Sequence, residues 1–205
     1  MPIVTRLSQQ KKNNRVNVYL DGKFAFGVTL ESALENHLKV GKELSQGKIE
    51  TLRGKDFKDK IFAKLLSFAS RRPHSQKEIS LWFKKKNVPE ELYVDLFNRL
   101  KNIGLLNDEE FARWWVEQRV HFRSSPKKML KLELRGKGIS DEITEKVLGE
   151  SETTPDIELA RKVLVKRFGK IPELVNLKEK KRVYDFLLRR GFSYDTIKQV
   201  LAKKK

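Results

Sequence analysis

The sequence predicts a mainly α-helical protein of three tandem three-helix modules in an elongated array, preceded by a small N-terminal β-hairpin region. A basic turn sequence occurs three times, and the segments between its copies have helical hydrophobic periodicity. A short N-terminal stretch instead alternates apolar and polar residues, which is typical of strands. We therefore expect a hairpin region at 1–55 and modules at 56–106, 107–152 and 153–205.

The N-terminal hairpin is predicted for residues 16–28. Apolar residues recur at alternate positions on both sides of Asp21-Gly22, a dipeptide that suits a two-residue type I′ turn. An isolated hairpin is marginally stable in water, so we expect this one to pack on Leu7 or on residues 30–44. Residues 31–37 read as a short helix and a candidate third strand lies near Leu44, whereas 9–15 is a mobile leader or an extra edge strand.

Helical periodicity begins at Asp56 in our interpretation. Phe57, Ile61, Leu65 and Phe68 fall on one face of the first helix, and Arg71-Arg72-Pro73 ends it because the residue before proline avoids the helical conformation. Capping signatures at 75–78 and 107–110 predict the next helix starts.

The helices of the later modules are predicted in the same way. Phe111, Trp115 and Phe122 form the expected apolar face of the helix that opens the second module. Thr154 and Pro155 are the expected N-cap and first residue of the helix that opens the third. The basic residues 203–205 are expected to form a frayed tail.

The repeated turn joins the second and third helices of each predicted module. Its copies are centred on Asn87, Gly138 and Gly191, which lie 51 and 53 residues apart. Each copy runs from an apolar residue through a basic segment to Gly or Asn, then to another apolar residue and to Pro or Ser. Gly and Asn accept the left-handed conformation that ends a helix, and Pro or Ser begins the next helix. Three copies at a nearly constant period indicate a repeat array.

Several segments carry a resemblance to a known family. SQKEI at 75–79, GLLNDEEFA at 104–112 and RGKGIS at 135–140 closely resemble the RecX family of recombinase regulators, as do 18–22 and 190–193. The likeness covers nearly the whole chain; Asn87 departs from the glycine of the other copies. The resemblance implies tandem three-helix modules that bind the RecA recombinase, usually its filament on single-stranded DNA, and inhibit its ATPase, strand-exchange and coprotease activities.

The charge of the chain points to a negatively charged partner. There are 45 Lys and Arg against 27 Asp and Glu, a net charge of +18, which predicts binding to a polyanion or to an acidic protein surface, although a merely solubilising surface is the alternative. Because stacked repeats keep one orientation, basic residues at the second helix of each module are expected along one side. The predicted nucleic-acid or RecA-filament contacts are Arg71, Arg72, Lys77, Lys84, Lys85, Arg119, Arg123, Lys127, Lys128, Lys131, Arg135, Lys181, Arg182, Arg189 and Arg190.

Other functions have weaker support from the sequence. His37, His74 and His121 follow no metal-ligand spacing, so we predict no enzyme activity, no metal and no cofactor. The acidic run 108–110 could suggest a nuclease, but it fits the first turn of a helix. A sequence-specific DNA-binding regulator with a helix-turn-helix-like module is the main alternative, although no dimerisation segment is evident.

The cellular setting is also predicted. The absence of cysteine fits a reducing cytoplasm, and no segment resembles a membrane span or signal peptide. We expect a cytoplasmic monomer whose partners are the RecA filament and single-stranded DNA, with double-stranded DNA as an open alternative. Trp82 and Trp115 are expected in the core, and Trp114 is expected to be partly exposed, with base stacking as the alternative role.

Overall fold

The computed structural model describes residues 1–10, 14–150, 154–172 and 176–202, and it divides into two compact units, residues 1–68 and 69–205. The elements that begin in the first unit are β1 (Val4–Gln9), β2 (Arg15–Leu20), β3 (Lys23–Thr29), α1 (Leu30–Glu35) and α2 (Gln46–Ala69). The second unit contains α3 (Gln76–Lys85), a single 3-10 turn (Glu90–Leu92), α4 (Tyr93–Asn102), α5 (Asp108–Arg123), α6 (Lys127–Gly136), α7 (Asp141–Glu150), α8 (Asp156–Phe168), α9 (Leu177–Arg189) and α10 (Tyr194–Leu201). The tail predicted at 203–205 lies outside the described residues.

The predicted hairpin is confirmed as β2 and β3. Asp21 and Gly22 have φ angles of 48° and 82°, as a type I′ turn requires. The third strand is β1, which pairs antiparallel with β2 and gives the order β1-β2-β3. The candidate strand near Leu44 was wrong, because that segment makes only an isolated bridge between Ile3 and Glu43 in the described structure.

Helix α2 begins ten residues earlier than the sequence analysis predicted, at Gln46 rather than Asp56. Ile49 and Leu52 are buried in the same core as the strands of the sheet, so apolar burial holds this polar first half of the helix in place. Phe57 was assigned to the buried face, but half of its surface is exposed.

The repeated turn ends α3, α6 and α9 in the same way. Asn87, Gly138 and Gly191 have φ angles of 50°, 81° and 89°. In each copy the amide of the following residue bonds to a carbonyl five residues earlier, which is the Schellman arrangement; the pairs are Val88 to Phe83, Ile139 to Leu134 and Phe192 to Leu187, at 3.0, 3.1 and 3.2 Å. The prediction of a left-handed helix end is therefore confirmed in all three copies, including the copy with Asn87.

The second and third modules each have a core of their own. The core of α5–α7 includes Phe111, Leu130 and Val147, and a separate cluster buries apolar residues of α8–α10. Two predictions at the helix starts and faces were wrong. Phe122 points to solvent with 66% of its surface exposed, and Pro155 precedes α8 as its N-cap rather than forming its first turn.

Candidate polyanion-binding surface

Most of the basic residues that the sequence singled out lie at the surface. Thirteen of the fifteen predicted contact residues are exposed, whereas Arg72 and Arg119 are half-buried. Some of the exposed side chains already form ion pairs: Lys131 with Glu145 at 2.5 Å and Arg135 with Asp141 at 3.1 Å. Exposed pairs of this kind contribute about 0–1 kcal/mol, so a polyanion can displace the carboxylates.

The joint between the first and second modules, called joint one, connects the start of α3 to the end of α6. The hydroxyl of Ser75 donates a hydrogen bond of 2.8 Å to the carbonyl of Lys137. The Asp108 carboxylate, at the start of α5, accepts a bond of the same length from the backbone amide of Gln76. Gly138 leaves room for the stem of Lys77, which an added methyl group would approach to 2.9 Å. These contacts fix α5 and α6 against α3.

Glu78 is the charged centre of joint one. Its carboxylate lies 2.8 Å from Arg72, 2.7 Å from Lys137 and 3.2 Å from the Nδ1 atom of His74. Burial by itself would raise the pKa of Glu78, but hydrogen bonds from His74, Arg72 and Lys137 outweigh it and hold the pKa far below its ordinary value. Arg72 of the first module and Lys137 of the second are thus both paired with the same carboxylate.

Two tryptophan rings fill joint one beside Glu78. Arg119 and Lys137 lie over the face of Trp115 at 4.1 and 4.6 Å from its centroid, and Arg72 lies 5.3 Å from that of Trp114. The indole N–H of Trp115 donates to Glu133 at 2.8 Å. Trp115 was predicted in the core; it is half-buried, packs against the core of the second module and also contacts these cations. Trp82 is buried as predicted.

The joint between the second and third modules, called joint two, repeats two contacts of joint one, namely the aspartate bond to a helix start and the packing of the turn glycine. The Asp156 carboxylate, at the start of α8, accepts from the amide of Lys127 at 3.3 Å, as Asp108 does in joint one. Gly191 lies against Met129 and Pro126 at the start of α6. The same turn glycine and the same helix-start aspartate thus stack each module on the one before it, which is how a repeat array keeps its register.

Joint two also contains a groove of about 690 Å³. Its basic lining residues come from α5, α8 and the end of α9: Arg123, Lys162, Lys166, Arg167, Arg189 and Arg190. Arg123, Arg189 and Arg190 were predicted contacts. Lys162, Lys166 and Arg167 on α8 were not, because the prediction rested on basic residues at the second helix of each module and at its ends; aligning Ala112 with Ala160 would have shown Lys162 at the position of Trp114.

No group of three or more His, Cys, Asp or Glu side chains is arranged to hold a metal ion in the part of the chain that the structure describes. None of the helices in the described ranges combines the length and the apolar character needed to cross a bilayer.

Comparisons with known proteins match three segments of this chain. Family models match residues 2–45 as the regulatory protein RecX N-terminal domain, 107–148 as the second three-helix domain of RecX and 155–201 as its third. Regulatory protein RecX of Bacillus licheniformis is 35% identical over 204 residues, which cover 98% of this chain and 77% of that protein. The chain belongs to the RecX family.

Further members of the RecX family agree in sequence and in fold. Regulatory protein RecX of Bacillus subtilis is 34% identical over 198 residues, covering 96% of this chain and 75% of that protein. A crystal structure of regulatory protein RecX superposes with a TM-score of 0.74 and 25% identity, covering 99% of this chain and all of the other. RecX from Lactobacillus salivarius gives a TM-score of 0.58 at 25% identity over 71% of this chain and 95% of that one. The resemblance drawn from the sequence is confirmed, and these relatives are named regulatory proteins.

Proposed function

We propose that this chain binds the RecA recombinase filament on single-stranded DNA as a cytoplasmic monomer and inhibits ATP hydrolysis, strand exchange and coprotease activity. The observation that carries the proposal is the repeated joint. Asp108 and Asp156 each hold the helix start of the preceding module, by bonds of 2.8 and 3.3 Å. The starts of α3 and α6, the second helices of the first two modules, are therefore held in equivalent settings, and such a series suits a long, repetitive, negatively charged assembly.

The proposed mechanism is occupation of the filament groove. An array of modules lying there touches neighbouring RecA protomers through its helices and the DNA phosphates through Lys and Arg. It excludes the incoming duplex and other protein clients from the groove. It also holds protomers away from the spacing that ATP hydrolysis requires, since an array that binds two protomers restricts the motion between them.

Inhibition of RecA is tested through its ATPase activity. We expect DNA-dependent ATP hydrolysis to fall as this protein is titrated onto RecA and single-stranded DNA. Lys84 and Lys128 are exposed and, in the described structure, form no ion pair. A Lys84→Glu, Lys128→Glu double variant is expected to need about tenfold more protein for half-inhibition, because each reversed charge removes an attraction to phosphate and adds a repulsion.

A matched variant controls for the change in net charge. Lys58→Glu with Lys64→Glu alters two exposed lysines on α2 that are outside the predicted contact set, and it should inhibit like the parent. Unchanged ATP hydrolysis at saturating parent protein would contradict the proposed inhibition. Equal potency of the parent and the Lys84→Glu, Lys128→Glu variant would remove these two residues from the binding surface.

A further inference from the structure

The two joints share the aspartate bond and the packing of the turn glycine, but they differ in the side chains beside these contacts. When α5 and α8 are aligned on Ala112 and Ala160, Lys162 occupies the position of Trp114. When α3 and α6 are aligned on their first residues, Gln76 and Lys127, Met129 takes the position of Glu78. Compared with joint one, joint two therefore has a cation in place of an aromatic ring and an apolar side chain in place of a carboxylate.

In joint one the positive charge is paired with carboxylates. Arg72 and Lys137 share the Glu78 carboxylate, and Arg119 pairs with Glu133 at 2.6 Å. Two indole rings lie against these cations. A pocket of about 250 Å³ borders Arg72 and His74 here, but the cations of joint one are held by carboxylates and rings that join the two modules.

In joint two the space is open and, among the described residues, the cations of the groove form no ion pair. Six of the described lining residues are cations and one, Glu133, is acidic; Glu133 already accepts from Arg119 and from the indole of Trp115. Like charges gathered without counter-charges attract anions strongly, and the walls of a groove concentrate that field. The volume of about 690 Å³ falls within the range of about 300–1,000 Å³ that is usual for binding sites.

An aromatic side chain stands at the same groove. Phe122 is among the lining residues and 66% of its surface is exposed. The ring of His121 meets it edge-on, with centroids 4.8 Å apart and an interplanar angle of 87°. Exposed aromatic rings beside a cationic groove are the arrangement that binds single strands, because the cations follow the phosphates and the ring stacks on an unpaired base.

We propose that the groove of joint two binds single-stranded nucleic acid, with backbone phosphates on Lys162, Lys166 and Arg167 and a base stacked on Phe122. Paired bases of a duplex are not free to stack on a side chain, so a single strand is the ligand that uses both features. The inference deepens the proposed RecA function by naming where the DNA strand is held. The lining residues of the groove all come from this chain, however. The groove therefore binds the strand without RecA.

The test measures fluorescence anisotropy of a labelled oligo(dT) with the full chain, in the absence of RecA, over a series of salt concentrations. Lys162→Gln with Lys166→Gln should weaken binding about tenfold and reduce the slope of log affinity against log salt by about 1.4, since each phosphate contact on a single strand contributes about 0.7. Phe122→Ala should weaken binding about fivefold or more and leave that slope unchanged, because stacking releases no counterions. Lys58→Gln with Lys64→Gln removes the same charge outside the groove and should bind like the parent.

Several results would overturn the proposal. If the Lys162→Gln, Lys166→Gln variant binds oligo(dT) as the parent does, the groove is not the site. If a duplex binds as tightly as the single strand and Phe122→Ala has no effect, the ligand is not a single strand. If inorganic phosphate at the same phosphate concentration displaces oligo(dT), the groove is only a site for free anions. Because RecA is absent, failure of this assay is distinct from failure to inhibit RecA ATPase.

Discussion

Glu78→Gln is expected to lower the free energy of unfolding by about 2–3 kcal/mol, because it leaves Arg72 and Lys137 without their shared carboxylate. The Glu78 side chain is only 12% exposed and receives three hydrogen bonds, two of them from cations. Water therefore replaces these interactions poorly. Urea denaturation followed by circular dichroism at neutral pH measures the loss.

An exposed ion pair provides the control for this variant. Glu145 pairs with Lys131, but 64% of its side chain is exposed. Glu145→Gln should consequently change the free energy of unfolding by no more than about 0.5 kcal/mol. If Glu78→Gln and Glu145→Gln are equally stable, the Glu78 cluster does not hold joint one together.

The stability of the chain should also depend on pH through Glu78. The pKa of this carboxyl is lower in the folded protein than its ordinary value of 4.5, so the ionised form stabilises the fold at pH values above 4.5. That contribution is lost as pH falls below 4.5 towards the folded-state pKa. The parent should consequently lose more stability than Glu78→Gln between pH 7 and about pH 3. Parallel pH profiles for the two proteins would contradict the role given to Glu78.

Gly138→Ala is expected to destabilise the protein by about 2–4 kcal/mol. Its φ of 81° is in the left-handed region, which costs an alanine about 1–2 kcal/mol, and the new methyl carbon would lie 2.9 Å from the Cβ atom of Lys77. A contact so close to the backbone of α3 cannot be relieved by rotating the end of the lysine, so joint one must open slightly.

Two other glycines separate the causes of this effect. Gly104 has φ 72° and open space around it, so Gly104→Ala should show only the backbone term of about 1–2 kcal/mol. Gly136 lies at the end of α6 with nothing near it, and Gly136→Ala should be neutral or slightly stabilising. The same urea denaturation measures all three. A Gly138→Ala variant no less stable than Gly104→Ala would show that the stem of Lys77 does not pack tightly at the joint.

The helix ends were predictable because they are encoded locally. Gly or Asn at 87, 138 and 191 is the residue that the left-handed conformation needs, and the buried residues beside it are adjacent in sequence. The asparagine copy was correctly included because Asn tolerates this conformation almost as glycine does. The hairpin turn was predictable for the same reason, because Asp21-Gly22 by itself favours a type I′ turn.

Features that depend on distant partners were not predictable in the same way. β1 reads Val-Thr-Arg-Leu-Ser-Gln, without clear alternation of apolar and polar residues. It is a strand because it pairs with β2, which its own sequence does not indicate. The first half of α2 is polar and has no clear helical periodicity. Its helix is stabilised by Ile49 and Leu52, which are buried in the same core as the sheet. Phe122 was placed on an apolar face by spacing alone, whereas the groove leaves it exposed.

The groove itself follows from stacking. Lys162 and Arg190 are far apart in sequence, and no periodicity relates them; they line one space because Gly191 and Asp156 dock the third module on α6. A comparison of equivalent positions across modules would have shown where a joint lost its tryptophan and its carboxylate. These sequence differences can be interpreted only when the positions that form the joints are known.

Co-sedimentation with RecA filaments tests the central claim most directly, namely that regularly stacked modules bind a long negatively charged assembly through their basic residues. We expect this protein to sediment with RecA assembled on single-stranded DNA at low salt and to be released progressively as salt rises, since its contacts displace counterions from phosphate. If the protein stays in the supernatant at low salt, or sediments to the same extent at every salt concentration, the claim is contradicted.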